Sequence, residues 1–382
     1  MSKFIALPVG QGDAFYLERK KFRVLVDGGR SKSAISSLMN AICKSNHLNV
    51  LVCTHNDCDH ANGVIGLLEN WEGKIGEVWL PGTWTTRMKD LFVHPKQFME
   101  ELLCDLISLN VHDQFEPQSL EDLIRTEGLD SPRTGHEDKI EFSLEEIVEA
   151  SDEREDDEWF WSGLTNPVAR KLFLLIRPLT EKQISLLCNA IEAASRIRII
   201  AKLAYRRGCK VRFFEFCGKP PGRRDGLLIP VNSQETLSIA SAPIGILRYL
   251  ALTTANKESL VFYSPEVGKE PAVLFAADSD LNFPLFGSQT KPPIVTSPHH
   301  GSDQNGSAYN VVNNWTRTSD IEPIWVRCDC KSKKRPGSRF LAQKTRLCTL
   351  CNNGDTGRQA VRLHSRQGAW QVTRGTTRCN CG

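Results

Sequence analysis

The chain has 382 residues, 40% of them hydrophobic and 24% charged, with a formal net charge of +3. That is ample apolar material for one large domain or two smaller ones, and so small a net charge excludes an inference of nucleic-acid binding from bulk electrostatics alone. No apolar run approaches the roughly 18–20 residues of a membrane span, so no transmembrane helix and no membrane partner is expected.

The opening residues, MSKFIALPVGQGDAFYLERKKF, lack a long apolar core before a small-residue cleavage site and read as a strand rather than a signal peptide. The expected location is therefore cytoplasmic, where 13 cysteines are thiols or metal ligands rather than disulfides. Residues 3–9 and 14–18 are strand candidates around Gly10-Gln11-Gly12-Asp13, and strand 22–26 runs into Asp27-Gly28-Gly29. Residues 33–45 carry helical spacing through Ile35, Leu38, Met39 and Ile42, and strands follow at 50–53 and 76–81.

From about 85 to 233 amphipathic segments dominate, notably 96–108, 143–150 and 183–207, with an acidic run at 152–158 that reads as a solvated loop or cap. This region is taken as a helical insertion. Strand signals return at 210–216 and 226–231. Residues 259–264 and 272–276 read as a hairpin with polar residues 266–270 at its tip, and 293–297 is one more short strand.

The most informative segment is Thr54-His55-Asn56-Asp57-Cys58-Asp59-His60. It places four candidate ligands (His55, Asp57, Asp59 and His60) within six positions, directly after an apolar strand. The expectation is a tight loop that turns imidazoles and carboxylates toward one point, a donor set that suits zinc, manganese or iron. So many ligands would crowd one ion, and a pair of ions about 3.5–4 Å apart fits them better. The apolar strand Val273-Leu274-Phe275-Ala276-Ala277 delivers Asp278 at its end, and Ile294-Val295-Thr296 leads through Ser297-Pro298 to His299-His300. A lone Asp or His at a strand end is ordinarily structural. Three such strand ends in one chain argue for a shared metal site.

These residues resemble the metallo-β-lactamase superfamily, whose signature is H-x-H-x-D-H. Here the run is His55-x-Asp57-x-Asp59-His60, with Asp in place of the second His, a variant similar to the ComEC-type branch named for a competence protein. Val9-Gly10-Gln11-Gly12-Asp13-Ala14, Val26-Asp27-Gly28-Gly29, the stretch Asn256 to Val261 and His299-His300-Gly301-Ser302 resemble further motifs of that branch, in its order. The resemblance covers residues 3–81 and 252–312.

It implies an α/β (α+β) fold, the four-layer αβ/βα sandwich, with a large helical insertion. It also implies two divalent metals, zinc or manganese. His55 and Asp57 would hold the first; Asp59, His60 and His299 or His300 the second; and Asp278 would bridge them. Asp13 and Asp27 would orient ligands or loops from behind. Two departures stand out. Ala276-Ala277-Asp278 occupies the place of a T-G-D motif, and no mid-chain His has a clear counterpart, His94, His112 and His136 being candidates only. An oxygen-rich first site favours manganese.

Metal binding lowers the pKa of water from 15.7 to about 7. The expected activity is thus that of a metallo-hydrolase working through metal-activated hydroxide, with Asp57, Asp59 and His300 at the chemistry. The ComEC-type relatives point to nucleic acid as substrate, that is, to a nuclease or phosphodiesterase. Ser302 and Asn305 in the polar stretch 303–307 are candidate phosphate contacts. Two basic segments add to this: Arg196, Arg198, Lys202, Arg206, Arg207, Lys210 and Arg212, and then Lys331, Lys333, Lys334 and Arg335 with Arg339, Lys344 and Arg346 beyond. Trp315, Trp325 and Phe340 offer little aromatic interleaving, and core packing explains them equally.

Six cysteines crowd the end: Cys328, Cys330, Cys348, Cys351, Cys379 and Cys381. Cys348-x-x-Cys351 has zinc-knuckle spacing, and either remaining pair completes a structural zinc site. The expected organisation is 1–84 and 234–327 as the two halves of the scaffold, 85–233 as the insertion and 328–382 as a zinc-binding tail, with 368–372 a last strand. Two other readings stay open: a small-molecule ester or amide hydrolase, and an interaction module regulated by a protein partner at the insertion. Stand-alone domains of this branch resemble effectors of bacterial antiphage defence, which suits such control.

Overall fold

The computed structural model describes residues 1–109, 119–120, 122–123, 143–152, 179–219, 226–236, 244–287, 289–317, 321–330, 335–352, 358–373 and 376–381. Most of the acidic run, His112, His136 and the lysines at 331, 333 and 334 lie outside these residues.

The described residues form a mixed α/β architecture with two mixed sheets. Strands are β1 (Lys3–Ala6), β2 (Phe15–Arg19), β3 (Phe22–Val26), β4 (His47–Val52), β5 (Lys74–Pro81), β6 (Lys210–Phe216), β7 (Ile229–Pro230), β8 (Ser233–Thr236), β9 (Phe262–Ser264), β10 (Val273–Phe275), β11 (Ile294–Thr296), β12 (Ile324–Arg327), β13 (Arg346–Asn352), β14 (Val361–Arg366), β15 (Ala369–Val372) and β16 (Thr376–Arg378). The first sheet runs β15-β14-β1-β2-β3-β4-β5-β6-β8 and the second β16-β13-β12-β11-β10-β9-β7. In each the centre is parallel, β3 to β6 and β10 to β13, and the flanks are antiparallel. Parallel strands are covered on both faces, which is why β4 carries the unbroken apolar run Val50-Leu51-Val52.

The sheets pack face to face. Phe4 of the first meets Phe275 of the second at 6.2 Å between ring centroids, and Phe262 lies 5.4 Å from Trp79 and 5.7 Å from Phe214. Alternation along β10 separates two cores: Val273 and Phe275 face the first sheet, whereas Leu274 and Ala276 join Val295, Trp325, Ala308, Tyr309 and Val312 on the far face.

Helices are α1 (Ala34–Ile42), α2 (Cys58–Asn70), α3 (Met88–Val93), α4 (Pro95–Ser108), α5 (Leu144–Asp152), α6 (Glu181–Arg206), α7 (Ile246–Thr253) and α8 (Gly306–Arg317), besides a short turn of helix at Ser338–Leu341. Within the expected insertion, 85–233, the described residues up to Arg206 are largely helical, whereas β6 and β7 join the two sheets. The long helix α6 starts at a capping box in which Thr180 and Gln183 satisfy each other's backbone N–H groups.

Three of the longer helices, α2, α7 and α8, were not anticipated. The ligand run was expected on a loop, yet Asp57 stands at the N-cap position of α2 without a side-chain capping bond, and Asp59 and His60 sit in its first turn. The helix α7 gave no signal because its residues are apolar on nearly every side and buried. The stretch expected as a tail instead supplies strands to both sheets: β14 pairs with β1, and β13 pairs with β12.

Helix α2 comes close to the turn after β3 because two glycines meet there. A Cβ on Gly63 would lie 1.9 Å from the carbonyl oxygen of Gly28, and the backbones bond instead, Gly28 N–H to His60 O at 3.0 Å and Gly63 N–H to Gly29 O at 2.7 Å. This approach brings His60 onto Asp27.

Candidate metal centre

The candidate ligands converge at the C-terminal ends of parallel strands. Asp27 follows β3, Thr54 to His60 follow β4, Asp278 follows β10, and His299-His300 follow β11. Asp13 joins them from the turn between β1 and β2. Every residue of the expected set except partly open Asp57, Asp59 and His299 is buried.

The imidazoles are oriented from behind. His60 Nδ1 lies 2.8 Å from Asp27 Oδ2, and His300 Nδ1 lies 3.0 Å from Asp13 Oδ1. His55 Nδ1 lies 3.0 Å from Thr54 Oγ1, whose hydroxyl donates to Asp27 Oδ2 at 2.8 Å, so this oxygen accepts from the ring. His299 Nδ1 faces Asn305 Oδ1 at 3.4 Å, while the Asn305 amide donates to the carbonyl of Asp278. In the neutral rings each Nδ1 is thereby the donor and each Nε2 keeps a lone pair.

Those lone pairs face one another. His60 Nε2 and His300 Nε2 are 3.2 Å apart. Asp278 Oδ1 lies 3.2 Å from His60 Nε2, and Asp59 Oδ2 lies 3.4 Å from His300 Nε2. On the other side of Asp278, its Oδ2 lies 3.9 Å from His55 Nε2 and 3.8 Å from His299 Nε2, and His55 Nε2 lies 3.7 Å from Asp57 Oδ2. Neighbouring donors on a tetrahedral ion with bonds of about 2.0–2.1 Å are about 3.3 Å apart. The first group matches that edge, and the buried His55 Nε2 and Asp278 Oδ1 have no hydrogen-bond partner. These inward-facing atoms are stabilised by positive charge among them, either protons on the Nε2 atoms or a cation. The residues fit divalent metal.

The electrostatics agree. Burial opposes a charge on His60, but Asp278 and Asp27 override it and hold the pKa well above the ordinary imidazole value. Burial likewise opposes charge on His300, and Asp278 and Asp13 override it. Burial would raise the carboxyl groups of Asp278 and Asp59, yet the surrounding imidazoles, His300 foremost, hold both far below the usual range. Burial pushes Asp13 up, with His300 opposing.

Backbone strain concentrates here as well. Asp27 (φ 60), Ala277 (φ 47), His299 (φ 45) and His300 (φ 53) all occupy the left-handed region that suits glycine. Ala277 stands where the motif named above has glycine.

Ser302 is buried and its hydroxyl accepts from Gln304 N–H, so both Ser302 and Asn305 are engaged in the frame of the site. His94 is exposed at the junction of α3 and α4, away from the centre. In the first basic segment six of the seven side chains make contacts within the chain. Arg196 binds Asn56, Arg198 binds Ser151, and Lys202 and Arg206 bind Asp152. Arg207 caps carbonyls of Leu68, Trp71 and Gly73, and Arg212 pairs with Glu235 and Glu77. Thus Lys202, Arg206 and Arg212 meet carboxylates, whereas Arg196, Arg198 and Arg207 bond neutral groups, and Lys210 is exposed.

Two residues behind the centre, Arg327 and Asp329, had no assigned role in the sequence. Arg327, fully buried at the end of β12, donates to the carbonyl of His300 at 2.6 Å and to Asp329 at 3.2 Å. Asp329 accepts from Gly12 N–H at 3.1 Å and lies 3.5 Å from Arg335, whose guanidinium reaches within 3.9 Å of Asp59. The available signal was a charged pair at the end of an apolar strand, Ile324-Trp325-Val326-Arg327-Cys328-Asp329. Arg335 belongs to the second basic segment and lies beside Asp59.

Of the six terminal cysteines, Cys348, Cys351, Cys379 and Cys381 form one cluster. Cys328 stands apart: it donates to the Leu7 carbonyl at 2.6 Å, and burial pushes its thiol up to about 12. Cys330 is also outside the cluster. A separate cavity, lined by Phe22, His47, Trp79, Arg212 and Phe214, lies at the N-terminal ends of β4 to β6, opposite the His/Asp residues. No protein-family model matches this chain, and no characterised protein matches its sequence.

Proposed function

We propose that this chain is a metal-dependent hydrolase of the metallo-β-lactamase type, with phosphodiesters of nucleic acid as its substrate class. The observation that carries it is the pair of Nε2 lone pairs held 3.2 Å apart at the shared carboxylate Asp278. The layered pair of sheets, with all ligands at strand ends on one edge, is what a four-layer sandwich of this type requires.

Asp59, His60, His300 and Asp278 would hold one divalent ion, and His55, Asp57, His299 and Asp278 a second, so the histidine doublet is shared between them. Such ions supply Lewis acidity and lower the pKa of the water they bind. Asp57 is the most open carboxylate of the set, at 35% exposure, and is placed to orient an incoming water. His300 is closed off, with one nitrogen on Asp13 and the other in the centre, so its part is to hold rather than to exchange protons with substrate. Arg335 lies at the rim beside Asp59, where a cation meets a phosphate oxygen.

The internal pairing of the first basic segment favours a second reading, hydrolysis of a small anionic ester. One experiment separates them. The protein is titrated with manganese or zinc and assayed on single- and double-stranded DNA, RNA and bis(p-nitrophenyl) phosphate. The proposal expects metal-dependent cleavage of polymer that drops at least 100-fold in Asp278→Asn. Cleavage of the small ester alone supports the second reading, and undiminished cleavage in chelator contradicts both.

A further inference from the structure

The four clustered cysteines lie at the edge of the second sheet. Cys348 and Cys351 are on β13, and Cys379 and Cys381 follow β16, its antiparallel partner. In a regular strand residues three apart point to opposite faces. The register of β13 against β16 shifts between Leu347 and Asn352, and this irregularity lets both β13 thiols turn to the same side.

The sulfurs are 3.7 Å (Cys348–Cys381), 3.9 Å (Cys351–Cys379) and 3.1 Å (Cys351–Cys381) apart. All four are free thiols, well beyond the ~2.05 Å of a disulfide bond. A tetrahedral ion with metal–sulfur bonds of about 2.3 Å has sulfur–sulfur edges of about 3.8 Å. The backbone N–H of Asn380 also points at Cys351 Sγ, 3.3 Å away. Four soft donors and no oxygen select zinc over manganese, the reverse of the His/Asp centre.

The cluster is also one strand away from the centre's supports. Cys348 is the register partner of Arg327. Arg327 holds the carbonyl of His300, and through Asp329 it holds the Gly12 turn that carries Asp13. We propose that Cys348, Cys351, Cys379 and Cys381 bind one zinc ion, which clamps β13 to β16 and, through Arg327, braces the His/Asp centre. The bracing rests on the reading of that centre as a metal site; the zinc site itself does not.

The test compares the full chain with a Cys348→Ser/Cys351→Ser double variant and with Asp278→Asn. Elemental analysis should find one zinc equivalent lost in the double variant and kept in Asp278→Asn. Cobalt in place of zinc should give thiolate-to-cobalt charge-transfer absorption in the unaltered protein. Manganese affinity at the His/Asp centre, read by calorimetry, should weaken at least tenfold when the zinc is lost. A double variant that fails to fold is bypassed by treating the unaltered protein with a mercurial thiol reagent, which should release one zinc as manganese affinity falls.

Zinc content unchanged by the double substitution, or no thiolate-to-cobalt band, overturns the site. Zinc loss with manganese affinity unchanged overturns the brace. Absence of manganese binding in every protein overturns the brace together with the reading it rests on, and leaves the zinc site standing.

Discussion

His60 and His300 present their Nε2 atoms to each other at 3.2 Å, while each gives its Nδ1 proton to its own carboxylate, Asp27 for one and Asp13 for the other. Two lone pairs at that distance repel unless a positive charge lies between them. In the metal-free chain protons on the rings can supply that charge, and a bound cation would replace them.

The carboxylates behind the rings should therefore matter almost as much as the ligands. Asp27 also takes the Thr54 N–H and hydroxyl, so it orients His60 directly and His55 through Thr54. Asp27→Asn should weaken metal binding by about 10–100-fold in a calorimetric titration, with the fold retained by circular dichroism. Unchanged affinity would mean that the rings are held by other contacts.

The protons tell the same story. Below about pH 6.5, the ordinary imidazole value, His60 and His300 are charged in folded and unfolded chains alike, and the stabilisation from their raised pKa is complete. It is lost as pH rises through the folded values. Asp278 and Asp59 are depressed, so their contribution is present above about 3.8 and lost as pH falls through their folded values. Metal-free protein should melt highest between those limits and lower toward pH 9. Metal should abolish the alkaline decline and release protons on binding, measured as a buffer-dependent enthalpy. A melting temperature flat from pH 6 to 9 without metal would contradict this.

Much of the centre was legible because strand ends deliver chemistry in a recognisable way. An apolar run followed at once by Asp278, or by His299-His300, leaves those side chains no place except the rim of a sheet. The helix under Asp57, Asp59 and His60 was harder to see, because Gly63 and Gly66 weaken helix propensity in that very stretch. Those glycines are there for close packing: a Cβ on Gly66 would lie 1.9 Å from the Lys32 carbonyl oxygen. The ion pairs of Lys202, Arg206 and Arg212 were invisible, since a basic run reads alike whether it faces phosphate or its own acids.

Ala277 offers a test of the strain. Its φ of 47° costs a residue with a Cβ roughly 1–2 kcal/mol that glycine avoids. Ala277→Gly should raise unfolding free energy by about 1 kcal/mol, less the added freedom of the unfolded chain, as read by denaturant titration of metal-free protein. A loss of more than 1 kcal/mol would show that the Ala277 methyl group is needed for packing.

The opposite change should be severe at Gly12. A Cβ there would sit 1.7 Å from the carbonyl oxygen of Asp59, whose backbone also accepts from Asp13 N–H. Gly12→Ala should destabilise the protein by about 3 kcal/mol or more and loosen Asp13 from His300. Wild-type stability and metal affinity in this variant would show that the turn can move without consequence.

Arg335 reports on the substrate. With Asp329 holding one side of its guanidinium, the other side lies at the rim beside Asp59. Arg335→Met should raise the KM for a phosphodiester at least tenfold while metal content stays constant, and should leave hydrolysis of a neutral ester unchanged. Equal loss on both substrates would assign Arg335 to the frame alone.

The most direct measurement is anomalous diffraction from crystals grown with manganese. A peak within bonding distance of His60 Nε2, His300 Nε2 and Asp278, with a second beside His55 and Asp57, is the predicted result. Crystals saturated with manganese that show no peak between His60 and His300 would contradict the account.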